Sequence, residues 1–356
     1  MKILILTNHS YMLYQFRKEL ILKLLEDHEV IISTPFVGHE DDLKEMGCQM
    51  INTYVDRRGI NPLTDMKLIK RYKEIIKEVK PDKVITYSIK PNIYGGMVCK
   101  KMNIPYYCNV QGLGTAFQKK VLAQLVTFLY KYAFKKVKTV FFENKGNAQV
   151  FIDKHIIPAN KITLLNGAGV NLEQYHYLEY PTNEKLHFLF VGRIMKEKGV
   201  DELFEVIQSL QNKNIILDIV GFFEDEYKEK IDELVEKNLA IFHGFQTDVR
   251  PFYQNANCVV LPSYHEGMSN VLLEASASGR PVITTDIPGC KEAVDDHITG
   301  YLCKAKDVRS LHDKMSQFCK LDNDQRKQMG IKAREKMEKE FDKKMVVEKT
   351  CEGLML

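Results

Sequence analysis

The sequence lacks several features that would assign it to other classes of protein. No run approaches the roughly 18 consecutive apolar residues that a membrane-spanning helix requires. The formal net charge is only +4 in 356 residues, which argues against nucleic acid as the main partner. The eight cysteines include no C-x-x-C pair. A metal or redox framework is therefore not expected, and buried thiols in a reducing compartment are the simpler interpretation.

The first apolar run, MKILILTN, is short. It does not reach the length of a signal peptide and instead predicts a buried strand. We therefore expect a cytoplasmic protein, or one that lies on a membrane from the cytosolic side.

Short β-rich apolar runs alternate with helical stretches along the whole chain. This alternation predicts parallel sheets covered on both faces. The length and an apolar content of 45% favour two domains, which we place at 1–172 and 173–340 because the polar stretch 171–184 interrupts the pattern. The predicted strands are 3–6, 30–33, 84–87, 106–110, 139–142, 188–191, 215–220, 240–243, 259–262 and 282–284.

The first chemical motif, GRIMKEKG at 192–199, directly follows a predicted strand and precedes a helix. Its glycines allow close backbone approach, and the helix N-terminus after it favours an anion. Arg193 can grip phosphate oxygens with two hydrogen bonds, and Lys198 adds a point charge. The segment is neither a P-loop nor a G-x-G-x-x-G turn. The alternative is an ordinary solvated loop rich in lysine.

The second motif, PSYHEGMSNVLLEA at 262–275, also runs from a strand into a helix. Ser269 or Asn270 is the predicted N-cap. Glu266 lies before the helix and Glu274 about one turn inside it, so two carboxylates can accept hydrogen bonds from the hydroxyls of one polar ligand. The alternatives are a surface acid at Glu274 and a simple charge–dipole contact at Glu266.

Together, G-R-x(4)-K-G and P-S-x(2)-E-G with Glu-x7-Glu resemble the retaining glycosyltransferases of the large GT-B class, which includes sucrose synthases and bacterial mannosyltransferases. The first half resembles, more loosely, enzymes that extend capsule, exopolysaccharide or lipid-linked glycans. The resemblance implies two Rossmann-like domains facing across a cleft, with an acceptor-binding first domain and a nucleotide-sugar-binding second domain. It also implies that the C-terminal helix, 341–356, packs back on the first domain through Phe341, Met345 and Val346.

The resemblance also implies residue roles. Arg193 and Lys198 would hold the donor diphosphate, Glu274 the ribose hydroxyls and Glu266 the donor sugar, and Phe245 would lie near the base. The backbone contacts implied for the donor are Gly192, Gly267, Met268, Ser269, Asn270 and Val271. No metal or other cofactor is expected, because the basic side chains and a helix N-terminus neutralise the leaving diphosphate. The acceptor hydroxyl would attack on the face from which the nucleoside diphosphate leaves, without a protein nucleophile.

The first half departs from the pattern of the resembling enzymes. Many relatives carry His-Gly or His-Asp where this chain has Gln111-Gly112. Glutamine is no general base at neutral pH but can hydrogen-bond a sugar, so Gln111 and His9 are the two candidate catalytic contacts from this half. A structural role for His9 is the alternative.

The acceptor side is expected among polar and glycine residues of the first half: Arg57, Arg58, Lys90, Asn92, Gly112 and Gly114. A lipid-linked diphosphate would explain the basic residues, as would salt bridges to local acids. By resemblance, the expected donor is UDP carrying a hexose or an N-acetylhexosamine, and the expected acceptor is a lipid-linked saccharide of bacterial surface polysaccharide synthesis.

The segment 119–138 holds six lysines and no acid. It predicts either a helix lying on an anionic membrane or a core helix with basic ends. The first interpretation gives a protein peripheral to the inner face of the cell membrane. Two rival functions stay open: a nucleotide-sugar epimerase of the same architecture, and a binding partner without turnover.

Overall fold

The structure is a computed structural model that describes residues 1–57, 59, 61–114, 117, 120–182, 184–210 and 214–356. Arg58, named above, and Lys119, the first residue of the segment 119–138, lie outside the described residues. The chain forms two compact units, one of 1–168 with 344–356 and one of 169–343. The sequence places these divisions at 172/173 and 340/341.

Unit 1 is built on a parallel sheet in which the strands follow the order β3-β2-β1-β4-β5-β6-β7. Its described strands are β1 Lys2–Leu6, β2 Glu29–Thr34, β3 Gln49–Asn52, β4 Lys83–Tyr87, β5 Tyr106–Val110, β6 Val140–Phe142 and β7 Ile162–Leu164. Its described α-helices are α1 Ser10–Leu25, α2 Glu40–Glu45, α3 Pro62–Val79, α4 Gly96–Met102, α5 Lys120–Ala133 and α6 Lys145–Asp153. A π-helical segment, Pro91–Gly95, leads into α4.

Two apolar layers cover the sheet of unit 1. Helices α3, α4 and α5 supply side chains such as Tyr72 and Tyr130 to one layer. The other layer takes side chains from α1 and from the C-terminal helix α13, Lys343–Gly353. Val346 of this last helix is buried in unit 1, but Phe341 belongs to the core of unit 2 and Met345 is exposed. The expectation that all three pack on the first domain is therefore correct for Val346 only.

Unit 2 repeats the plan with a parallel sheet of order β10-β9-β8-β11-β12-β13. Its described strands are β8 Leu186–Val191, β9 Ile215–Val220, β10 Ala240–Gly244, β11 Cys258–Leu261, β12 Val282–Thr285 and β13 Gly300–Cys303. Its described α-helices are α7 Val200–Ser209, α8 Lys228–Glu236, α9 Arg250–Asn255, α10 Asn270–Ala277, α11 Val308–Lys320 and α12 Asn323–Lys336.

Both sheets share the Rossmann strand order, which reverses direction between the first and fourth strands of each unit. That reversal lies between β1 and β4 in unit 1 and between β8 and β11 in unit 2. Loops on either side of such a point part to leave a crevice, where ligands of this architecture bind. The predicted α/β class with two parallel sheets is confirmed. Among the described helices, none combines the length and the apolar content needed to cross a bilayer.

Candidate functional site

The loop after β8 is fixed against the loop after β11 by a close backbone contact. Gly199, the last residue of the first motif, has φ +70°, and a Cβ there would lie 2.1 Å from the carbonyl oxygen of Pro262. Only glycine fits this conformation and this spacing. Lys198 and the 262–269 loop are therefore held side by side at the strand reversal of unit 2.

Lys198 and Glu266 form an ion pair at this point. Lys198 Nζ lies 2.5 Å from Glu266 Oε1, and Ser263 Oγ donates to the same carboxylate oxygen at 2.7 Å. The two side chains are 17% and 13% exposed, so the pair is largely shielded from water and its electrostatic interaction is stronger than that of a surface pair. The structure thus joins two residues that lie 68 positions apart in the chain.

Arg193 lies in the same loop but has a different partner. Its Nη1 is 3.2 Å from Glu224 Oε2, and its side chain is 44% exposed. The exposure leaves the guanidinium accessible to an anion from solvent. The structure therefore groups Lys198 with Glu266 and places Arg193 beside Glu224.

Helix α10 begins without a side-chain cap. Ser269 occupies the predicted N-cap position, but its hydroxyl makes no capping hydrogen bond. The first N–H groups of a helix have no partner within the helix, and the helix dipole attracts negative charge to them. The preceding backbone is held from behind, because Ser269 N donates to Gly289 O at 2.9 Å. A Cβ on Gly289 would lie 2.5 Å from the Gly267 carbonyl oxygen.

Glu274 is a partly buried acid with two tyrosine neighbours. Tyr253 donates its hydroxyl to Glu274 Oε2 at 3.0 Å, and Tyr175 also hydrogen-bonds this carboxylate. Burial raises the pKa of Glu274 to about 7, although both tyrosines oppose that shift. The alternative of a surface acid is therefore wrong. Sequence reasoning missed both tyrosines, since they come from distant segments.

Two exposed aromatic rings stand beyond β9 and β10. Phe245 is 57% exposed and Phe222 is 44% exposed, and their ring centroids are 6.0 Å apart with planes at 70°. Large exposed rings without a covering segment are typical of surfaces that receive a planar ligand. Phe245 was predicted, whereas Phe222 was not.

In unit 1, His9 caps helix α1. Its Nδ1 accepts from Met12 N at 3.4 Å, so the proton of the neutral ring lies on Nε2, which is a donor. Burial lowers the pKa of His9, and the nearby charge of Arg57 lowers it further. The structural role of His9 is confirmed, and its free nitrogen is a hydrogen-bond donor rather than a base.

The other predicted residues of unit 1 divide into two groups. Lys90 Nζ pairs with Asp65 Oδ1 at 2.7 Å, so a local salt bridge accounts for that lysine. Asn92 is 1% exposed, accepts from Thr86 at 2.6 Å and donates to Asn109 O at 2.8 Å. Because both ends of its amide are bound in the core, the prediction that Asn92 faces an acceptor is wrong.

The loop after β5 holds the remaining predicted positions. Gln111 and Gly112 are half-buried, and Gly114 is exposed with φ +65°. Their position after the fifth strand places them at the ligand-binding edge of the sheet. Within the described chain, no three His, Cys, Asp or Glu side chains are grouped so as to hold a metal ion.

Two Rossmann-type units, each with a parallel sheet and a strand reversal, are the architecture of the GT-B class. The family model described as "Glycosyl transferases group 1" matches residues 179–336, and that described as "Glycosyl transferase 4-like" matches residues 2–144. The first model lies within unit 2 and the second within unit 1. Both units are therefore glycosyltransferase domains, and the chain is a glycosyltransferase, as the sequence motifs predicted.

Named relatives point the same way. The chain is 28% identical over 337 residues to the N,N'-diacetylbacillosaminyl-diphospho-undecaprenol alpha-1,3-N-acetylgalactosaminyltransferase of Campylobacter jejuni, covering 89% of each. It is 26% identical to the capsular polysaccharide biosynthesis glycosyltransferase CapM of Staphylococcus aureus, covering 86% of this chain and 85% of that protein. Among solved structures, Anabaena HepE in complex with UDP and glucose is similar with a TM-score of 0.81, at 16% identity over 100% of this chain and 99% of that one. This last likeness shows the fold.

Proposed function

We propose that the protein transfers a hexose or N-acetylhexosamine from UDP to a lipid-linked saccharide during synthesis of a bacterial surface polysaccharide, with retention of configuration. The observation that carries this proposal is the Lys198–Glu266 pair beside the uncapped start of α10. The Campylobacter relative is named for a diphospho-undecaprenol substrate and an N-acetylgalactosaminyl group, which supports both substrate classes.

We propose that Lys198 and Glu266 bind different parts of the donor. Lys198 has three N–H donors and turns from Glu266 to the diphosphate, while Glu266 accepts hydrogen bonds from hydroxyls of the donor sugar. The first N–H groups of α10 and the exposed Arg193 add positive potential for the same phosphates. Glu274 accepts from the ribose, and Phe222 and Phe245 contact the base.

The chemical step follows from this placement. The acceptor oxygen forms a bond to the anomeric carbon as the bond from that carbon to the β-phosphate oxygen breaks. The acceptor proton passes to the leaving phosphate oxygen, on the face of the sugar from which it departs. The task of Lys198, Arg193 and the α10 terminus is to stabilise the charge that develops on the diphosphate. These groups do so without a metal ion in our proposal.

The acceptor side is proposed to lie in unit 1. His9 offers an N–H donor, Arg57 an exposed cation, and Gln111 an amide after β5. These groups suit phosphate and sugar oxygens. A lipid-linked acceptor would bring the protein to the cytoplasmic face of the membrane as a peripheral protein.

Turnover with defined substrates tests the proposal. The purified protein is incubated with a panel of nucleotide sugars, with and without a short-chain lipid diphosphate saccharide, and with EDTA in a parallel series. We expect acceptor-dependent release of UDP, an anomeric product of unchanged configuration by NMR, and the same rate in EDTA.

Other outcomes assign the rival functions. Conversion of the sugar without acceptor identifies an epimerase. If the nucleotide sugar binds but no acceptor that is tested gives turnover, the protein is a binding partner without enzymatic activity.

A further inference from the structure

Helix α5 of unit 1 is apolar on two sides. The side that faces the sheet carries Ala123, Val126, Tyr130 and Ala133, each no more than 9% exposed. That side belongs to the core, as the second interpretation of the segment predicted. A helix that merely covers a sheet has a polar outer side, whereas the outer side of α5 has an apolar centre with Gln124 and Lys131 beside it.

The outer side of α5 is a stripe of four exposed apolar residues. Val121, Leu125, Phe128 and Tyr132 are 81%, 53%, 67% and 45% exposed. At 100° per residue they fall within about 60° of the helix circumference, and they extend over about 16 Å of its length. We call this set the α5 stripe. Single exposed apolar residues need no explanation, but an aligned row over three turns marks a contact surface.

Positive charge lies beside the α5 stripe at its C-terminal end. The sequence has no Asp or Glu between Asp82 and Glu143. Lys100 Nζ lies over the ring of Tyr132, 3.0 Å from its centroid, and Lys135 Nζ is 6.0 Å from the same centroid. The exposed lysines of this region are Lys131, Lys135, Lys136 and Lys138.

We infer that the α5 stripe docks on an anionic lipid bilayer. Aliphatic and aromatic side chains in one row enter the boundary between head groups and acyl chains, while lysines beside them reach the phosphate groups. Tyr132, whose ring centroid has two ammonium groups within 6.0 Å, suits that boundary. The helix lies in the plane of the surface and stays packed on unit 1 by its other side.

The charge pattern favours a bilayer over a second copy of the chain. A two-fold contact through this stripe would bring the lysine groups of both copies together, which is unfavourable. The row is also narrow, whereas a stable protein interface buries about 800 Å² on each partner. An anionic surface removes the repulsion and needs no matching shape.

Vesicle binding of purified protein tests this surface without substrates, so its result is independent of the proposed transfer reaction. The variants are Leu125→Ser with Phe128→Ser, and Lys131→Gln with Lys135→Gln and Lys136→Gln. Controls of equal chemistry come from unit 2: Val235→Ser with Ile298→Ser, and Lys304→Gln with Lys320→Gln and Lys339→Gln. Binding is measured by flotation with phosphatidylcholine vesicles, with and without phosphatidylglycerol.

We expect the serine variant to bind all vesicles at least about tenfold more weakly. The glutamine variant should lose about a hundredfold on anionic vesicles and little on neutral ones. The controls should match the parent chain, and an unchanged melting temperature should show that the variants fold. Parent-like vesicle binding by both α5 variants would overturn the inference. So would a parent dimer, seen by sedimentation, that becomes monomeric in the serine variant.

Discussion

The two units share a strand order and a type of ion pair at the strand reversal, but they differ in what surrounds that pair. Each holds a shielded lysine–carboxylate pair there: Lys198 with Glu266 in unit 2, and Lys90 with Asp65 in unit 1. All four side chains are between 13% and 17% exposed. The difference lies in their surroundings. The first pair joins two loops that the Gly199–Pro262 contact holds together. In the second pair, Asp65 belongs to helix α3 and also accepts a hydrogen bond from Tyr94. The first pair, which joins two loops at the strand reversal, is therefore the one that we propose to take part in ligand binding.

Replacing Lys198 and Lys90 in turn should give the largest difference between the two ion pairs. We expect Lys198→Met to lower kcat by about 10² to 10³, because a preorganised cation at the leaving diphosphate is lost. Lys90→Met should leave the Kd for UDP unchanged and act, if at all, on the acceptor KM. Steady-state kinetics and calorimetric UDP titration measure both. Equal losses of UDP affinity would remove the proposed distinction between the pairs.

One glycine in each unit, Gly199 in unit 2 and Gly114 in unit 1, should also differ in how much its replacement lowers the free energy of unfolding. Gly199→Ala forces a Cβ to within 2.1 Å of a backbone oxygen at φ +70°, and we expect a loss of about 3 kcal/mol in unfolding free energy. Gly114→Ala meets only the flexible end of Ile89, at 3.0 Å, so its cost should be about 1 kcal/mol. Equilibrium urea unfolding provides the comparison, and a larger loss for Gly114→Ala would contradict it.

Two titratable groups, one in each unit, have pKa values shifted in opposite directions. Burial raises the pKa of Glu274 to about 7 in unit 2, whereas burial and Arg57 lower the pKa of His9 in unit 1. A carboxylate accepts hydrogen bonds from hydroxyl groups better than a carboxylic acid does. UDP should therefore bind more tightly as pH rises through 7, with Kd increasing about tenfold per pH unit below it.

Calorimetry from pH 5.5 to 8.5 measures that slope. Glu274→Gln should bind UDP without the pH dependence, and His9→Ala should keep it. Because the folded pKa of Glu274 exceeds its unfolded value, its contribution to stability is present at low pH and is lost as pH rises through 7. Glu274→Gln should be free of that loss. A slope that persists in Glu274→Gln would assign the titration to another group.

Replacing the exposed phenylalanines should give the smallest difference between the two units, measured as the Kd for UDP. Phe222→Ser and Phe245→Ser in unit 2 should each raise the Kd for UDP about fivefold, as loss of one aromatic contact does. Phe128→Ser in unit 1, which removes a ring that is 67% exposed, should leave UDP affinity unchanged. Loss of UDP affinity in Phe128→Ser alone would show that the base does not rest on the Phe222–Phe245 surface.

The fold was predictable where strands are buried on both faces. The ten predicted strands correspond to those in the middle of the two sheets and to the edge strand β10, whereas β3, β7 and β13 were missed. All three lie at sheet edges. Strands β3 and β7 are only partly buried, so their sequences lack the apolar run on which recognition depends.

The candidate site was predictable where its residues lie in one short motif. Lys198 and Glu266 follow strands and belong to recognisable loops, so spacing was enough to find them. Tyr175 and Tyr253 reach Glu274 from segments with no chemical pattern of their own. The prediction for Asn92 was wrong for another reason. A polar residue after a strand can turn inward when buried backbone and hydroxyl groups need hydrogen-bond partners.

The contact between Gly199 and Pro262 has a consequence for how this enzyme can diverge. Since main-chain atoms set the distance between the two loops, the proposed location of the phosphates does not depend on the side chains nearby. Exposed neighbours such as His265 are thereby released to vary, whereas Tyr264 is buried and held by its hydrogen bond to Glu202. Efforts to redirect the donor specificity should keep both glycine-to-backbone contacts and randomise those neighbours.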